Sequence, residues 1–206
     1  MAAFLRRGGS AANDELDREL RSIERRVSRV RTPAEAGSLL SRAGDLCVQA
    51  GRHQLGLRFY GRSINTYLEA DLCAAARAVC RKLLRVAPQA VRPWSTLAWI
   101  SIRGDLVGDA EQEVQAYVDA AIRASQESTA ALHLRHMADA TPAPELRERI
   151  ALQLMALGDA ETADELLARL YRESNGLADP PSWEEIDQFW DLALKTIIIR
   201  TDERAA

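Results

Sequence analysis

The chain has 206 residues, 47% of them hydrophobic and 28% charged, which excludes a disordered polypeptide and provides for one sizeable core or a string of helix pairs sharing one. Its net charge of −3 conceals a polarity: up to Arg103 there are 18 Lys and Arg against 9 Asp and Glu, and beyond it 9 against 21. Only Lys82 among those 18 is lysine, and arginine's planar fork favours carboxylates and phosphates, so the first half is suited to an anionic partner.

The beginning of the chain is basic at Arg6 and Arg7, with no apolar stretch behind them to serve as a signal peptide. The apolar run around Ile197-Ile198-Ile199 is bounded by Lys195 and Arg200, far short of the roughly 20 residues a spanning helix requires. These features predict a cytoplasmic protein without a transmembrane segment, peripheral to a membrane at most. Cys47, Cys73 and Cys80 are odd in number and lie inside apolar patterns, which predicts reduced core residues rather than a disulfide framework or a zinc site.

Residues 1–12 are expected to form a flexible basic N-terminus. Over 13–31, Leu16, Leu20, Ile23, Val27 and Val30 recur at alternating steps of four and three, a narrow apolar stripe on a charged helix. The stripe is too short for an independent coiled coil and is expected to pack on the body, with pairing to a twin helix as the alternative. Thr32-Pro33-Ala34-Glu35 reads as a helix start, with threonine as N-cap and proline at the first helical position. That helix should run from Pro33 to Ala50 and end at Gly51. A second, from His53 to Leu68 with Leu57, Tyr60, Ile64 and Tyr67 on one side, must return antiparallel after so short a turn.

The same grammar predicts helices over Cys73 to Val86, Val91 to Arg103, Asp109 to Ala124, Ser128 to Asp139, Pro144 to Leu157 and Ala160 to Glu173, with no strand-like alternation. Residues 176–181 read as a Pro/Gly linker, and Ser182 with Glu185 forms a capping box for a last helix within 182–206. Its apolar face, including Trp183, Ile186, Phe189 and Trp190, suits either a cap on a helical array or a docking helix for a partner's groove.

Tyr60, Tyr67, Ala76 and Pro88, then Trp94-x-x-Leu97-Ala98, and again Ile150-Ala151, Leu154, Gly158-Asp159, Ala163 and Leu167, stand at the spacings of a helix pair recurring near 34 residues. Over 32–175 the chain resembles tetratricopeptide-repeat proteins on these residues. It departs from the pattern at Ser63-Ile64, at Cys80, and from Gly104 to Asp139, which needs extra residues to stay in register. The resemblance implies an all-α, right-handed superhelix of antiparallel helix pairs, with the first helix of each pair lining a concave face. Carried over by spacing, that face would hold Arg58, Arg62 and Asn65 from one copy and Arg92, Ser95, Trp99 and Arg103 from the next, a basic groove with an aromatic floor.

His133, His136 and Asp139 recur at steps of three on one predicted helix, but they spread over a third of its circumference without a fourth ligand, so no metal site is expected. Neither a nucleophile with its base nor a glycine-rich phosphate cradle is evident, Gly104-x-x-x-Gly108 reading as a loop between helices. The sequence therefore predicts a non-catalytic protein-binding adaptor or accessory subunit, without cofactor, whose partner is a protein with an acidic surface or segment; nucleic acid is not expected for want of a motif. The alternative is a peripheral structural subunit of a larger, membrane-bound complex, with Phe4, Leu5, Arg6, Arg7 and the N-terminal helix meeting anionic headgroups or a cytoplasmic face.

Overall fold

The computed structural model describes residues 2–182, 184–185, 188–190 and 193, with side chains from Asn13 on. Among the described residues regular structure is helical throughout, and no strand occurs. The helices are α1 (Ala2–Val27), α2 (Pro33–Gln49), α3 (His53–Glu69), α4 (Cys73–Val86), α5 (Val91–Arg103), α6 (Val107–Arg123), α7 (Glu127–Asp139), α8 (Pro144–Ala156) and α9 (Ala160–Ser174), with further helical residues at 184–185, 188–190 and 193. Two compact units result, Met1–Pro88 with α1 to α4 and Gln89–Ile197 with α5 to α9, and within each unit consecutive helices pack on one another. None of the helices among the described residues is long and apolar enough to cross a membrane.

Six connections are the same turn. After α2, α3, α5, α6, α8 and α9, one residue enters the left-handed region: Gly51, Asp71, Asp105, Ser125, Gly158 and Gly176, with φ between 52° and 83°. In each case the next amide reaches back five residues, from Arg52 to the Cys47 carbonyl at 2.8 Å and likewise from Leu72, Leu106, Gln126, Asp159 and Leu177 at 2.8–2.9 Å. This satisfies carbonyls the ending helix leaves open and reverses the chain in three residues. By contrast α2, α5 and α8 start from an extended residue, Thr32, Ala90 or Ala143, with a proline in the first turn at Pro33, Pro93 or Pro144. The helices are thus punctuated in threes, α2 to α4 and α5 to α7, with α8 opening the next set. The residues from Gly104 to Asp139 that do not fit a two-helix spacing hold both α6 and the additional helix α7.

In the first unit the apolar stripe of α1 packs on the body. Leu16, Leu20 and Ile23 are buried with Leu39, Leu40, Ala43 and Cys47 of α2 and Phe59 of α3, with Val27 and Val30 at the edge. The flanks of α1 carry carboxylates that meet arginines of the body: Glu19 with Arg42 at 3.0 Å, Glu24 with Arg62 at 3.2 Å, and Asp17 with Arg52. Burying each stripe residue contributes up to about 1.5–3 kcal/mol, whereas exposed ion pairs contribute about 0–1 kcal/mol apiece. Apolar contact therefore holds the helix and the charges orient it.

The α2–α3 pair is closer than side chains ordinarily permit. A β-carbon at Gly37 would stand 2.6 Å from the ring of Tyr67, and one at Gly44 2.5 Å from the ring of Tyr60. Tyr60 has no room to yield, because its hydroxyl donates to Asp45 at 2.6 Å and Lys82 of α4 donates to the other oxygen of the same carboxylate at 2.7 Å. Burial, then the bond to Asp45, pushes the Tyr60 phenol well above its ordinary pKa. Nearby, the Ser63 hydroxyl donates to the Gly37 carbonyl at 2.7 Å. Overpacking such a site costs about 1–3 kcal/mol. Gly44→Ala should lower stability by that amount in urea denaturation, and Gly44→Ala combined with Tyr60→Leu should recover part of it.

Candidate functional site

The residues predicted to line a groove fall in both units. On α3, Arg58 is exposed, Arg62 is half-buried in its ion pair with Glu24 and lies 5.4 Å from the centre of the Phe59 ring, and Asn65 is half-buried. On α5, Arg92 and Arg103 are exposed, whereas Ser95 and Trp99 are buried at 3% and 1% exposure. Trp99 is therefore not an open aromatic floor. Trp190 from the C-terminal segment packs edge-on against it, with ring centres 6.4 Å apart, and the Arg103 guanidinium stands 4.5 Å above the Trp190 ring. Covering an indole with another apolar ring removes more surface from water than leaving it for a ligand, which is why the position reads as core.

Of the apolar face expected at the C-terminus, Trp190 and Ala193 are buried and Phe189 is half-buried; Trp183 and Ile186 lie outside the described residues. The capping box is formed, with the Glu185 carboxylate accepting from the Ser182 amide at 2.8 Å and hydroxyl at 2.9 Å. Those bonds, the backbone one first, hold the Glu185 carboxyl below its usual range.

A cavity of about 580 Å³ opens elsewhere in the second unit, between α7, α8 and α9. Ala138, Leu154 and Leu166 form its apolar floor, and Arg135, Asp139, Glu165, Arg169 and Arg172 stand around it. Most of this charge is engaged. Arg135 donates twice to Asp159, at 2.9 and 2.7 Å, and Arg169 to Asp139 at 3.0 Å. Burial works to raise the Asp159 pKa, but the hydrogen bonds from Arg135 and Thr162 outweigh it and hold the carboxyl below its ordinary value. Arg172 makes its bond to the Ala168 carbonyl at 3.3 Å and, among the described residues, meets no carboxylate. It is exposed and is the cation of the rim available to a ligand.

Arg147 of α8 and Glu173 of α9 also form a forked ion pair between these helices, at 3.0 and 2.5 Å, with the two side chains only 2% and 8% exposed. It ties the end of α9 to the start of α8. Sequence reasoning missed this site because Arg135 of α7 stands more than thirty residues before Arg169 and Arg172 of α9; the only local trace is the step of three between Arg169 and Arg172.

The histidines have other partners. The His133 Nδ1 lies 2.8 Å from the Tyr117 hydroxyl and the two rings stack, while Asp139 is held by Arg169. No group of three or more His, Cys, Asp or Glu among the described residues is placed to hold a metal. Cys47 and Cys80 are buried and Cys73 half-buried, and burial pushes the Cys47 thiol up. No protein-family model, curated protein or solved structure matches this chain.

Truncating Glu173 would strand the buried Arg147 charge, a loss of about 3–5 kcal/mol. Glu173→Ala should therefore unfold the second unit at markedly lower urea than the parent, while Arg172→Ala should move the midpoint little. For His133, burial first, then His136 and Arg92, lower the folded-state pKa below the unfolded value. The unfolded chain then takes up the proton before the folded one does, so this contribution to stability is intact above about pH 6.5 and is lost as pH falls below it. Thermal midpoints recorded across pH 7.5 to 5 should show that decline, and His133→Gln should flatten it.

Proposed function

We propose that this chain is a tetratricopeptide-like helical-repeat adaptor or accessory subunit without chemistry of its own, which binds an acidic segment of a protein partner. The observation that carries the reading is the cavity between α7, α8 and α9, where an apolar floor is rimmed by arginines and Arg172 has no carboxylate among the described residues. A partner's aliphatic side chain would occupy the floor and its carboxylate would take the fork of Arg172, while Glu165 would repel an acidic residue in the wrong register. The repeat-like reading draws support from burial. Ala76, Ala98, Ala151 and Ala163, the small positions picked out by the resemblance, are each 0% exposed, as close helix contact requires. Punctuation in threes marks a departure from a strict two-helix repeat.

Affinity purification from the native cell, with soluble and detergent-solubilised membrane fractions kept apart, should recover a stoichiometric partner that Arg172→Glu abolishes without changing the helical circular dichroism. Retention of the partner by Arg172→Glu, with its loss on Arg58→Glu or Arg92→Glu, would move the contact to α3 or α5. Indifference to all three would overturn the acidic-segment reading. The detergent fraction separates a free adaptor from a peripheral subunit of a membrane-bound assembly.

A further inference from the structure

The arginines of α1 and of the turn that follows it are arranged differently from the others in the first unit. With the stripe of Leu16, Leu20 and Ile23 turned into the core, a helical rotation of about 100° per residue puts Arg18, Arg21 and Arg25 on the opposite face, and all three are exposed. Arg26, Arg29 and Arg31 extend the basic surface and are exposed as well. None of the six meets a carboxylate among the described residues; Arg18 and Arg25 bond only to carbonyls of their own helix, those of Asp14 and Arg21. The acidic residues Asp17, Glu19 and Glu24 sit on the flanks, already paired with Arg52, Arg42 and Arg62 of the body. Asp14 and Glu15, immediately before Leu16, are exposed, and Asp14 stands on the outward face one turn before Arg18. From Arg18 onward the outward face is thus of one sign.

We propose that this arginine face of α1 docks the protein on an anionic lipid surface. Three properties select that occupant. The face carries no apolar side chain from Asn13 to Val27, so it lacks the apolar centre around which a stable protein–protein interface is built. A nucleic-acid groove would enclose the helix on three sides and bring phosphates against the acidic flanks, whereas a bilayer touches only the outward face. The helical row from Arg18 to Arg25 extends for about 10 Å at roughly 1.5 Å per residue, so its guanidiniums reach one plane of headgroup phosphates and carboxylates. The same helix begins at Ala2, and its sequence there adds Arg6 and Arg7 together with the apolar Phe4 and Leu5. Attraction to anionic headgroups accumulates with each arginine near the surface and falls with salt. This surface belongs to the first unit and the cavity to the second, so the proposal does not rest on the adaptor reading.

The test is co-sedimentation of the full chain with phosphatidylcholine vesicles, with and without phosphatidylserine. Binding should require phosphatidylserine and weaken steadily as salt is raised. The triple change Arg18→Glu, Arg21→Glu and Arg25→Glu should reduce it by at least about 100-fold, with the thermal midpoint retained because these side chains are exposed and pair with no carboxylate among the described residues. Arg26→Glu with Arg29→Glu and Arg31→Glu, beyond the buried stripe, should weaken it in the same sense and serves if the first variant folds poorly. Equal binding to both kinds of vesicle, no binding at low salt, or a triple variant that binds like the parent would each overturn the proposal. So would tighter binding to a duplex oligonucleotide that the triple change abolishes, which would assign the face to nucleic acid.

Discussion

Close approach of α2 and α3 is the contact on which the first unit depends. Where Gly37 and Gly44 present bare backbone, the rings of Tyr67 and Tyr60 from α3 sit directly against α2, in space that a side chain at either glycine would otherwise fill. The consequences run outward from there. Tyr60 reaches Asp45, Asp45 draws in Lys82 from α4, and Lys82 also donates to Ser41 at 3.1 Å, so one small-residue contact ties three helices through a polar chain. On the other side of α2, Leu39, Leu40 and Ala43 receive the stripe of α1. A bulkier residue at Gly44 would displace Tyr60 and remove the hydroxyl that Asp45 accepts from, the same carboxylate that neutralises Lys82.

Charge in this chain serves two purposes that composition cannot distinguish. Arg42, Arg52, Arg62, Arg135, Arg147 and Arg169 are matched to carboxylates of neighbouring helices and help set helix against helix. Those of α1 from Arg18 onward face outward without such partners among the described residues, where Arg172 also remains available at the cavity rim. The buried Arg147–Glu173 pair is the extreme of the first kind. Two charges removed from water are tolerated because the fork pairs them directly, although the Arg147 Nε is left without a partner among the described residues, and the exchange secures orientation more than stability.

Local signals in the sequence determined most of the secondary structure. The Thr32 and Ser182 caps, the glycines after α2 and α8, the prolines at the starts of α2 and α8, and the spacing of Leu16, Leu20 and Ile23 act within one or two turns of helix, where hydrogen bonding and periodicity are legible in the chain itself. The turns at Asp71, Asp105 and Ser125 were harder to read because these residues enter the left-handed region without glycine, and the grouping of helices in threes was obscured with them. The stripe already pointed α1 onto the body, where Leu16, Leu20 and Ile23 are found buried, whereas tertiary structure alone decided that Trp99 is covered by Trp190 and that Arg135, Arg169 and Arg172 surround one cavity. These facts depend on which helix faces meet across tens of residues. A side chain's type does not report that: an exposed arginine, a paired arginine and a buried one are the same letter until their neighbours are in place.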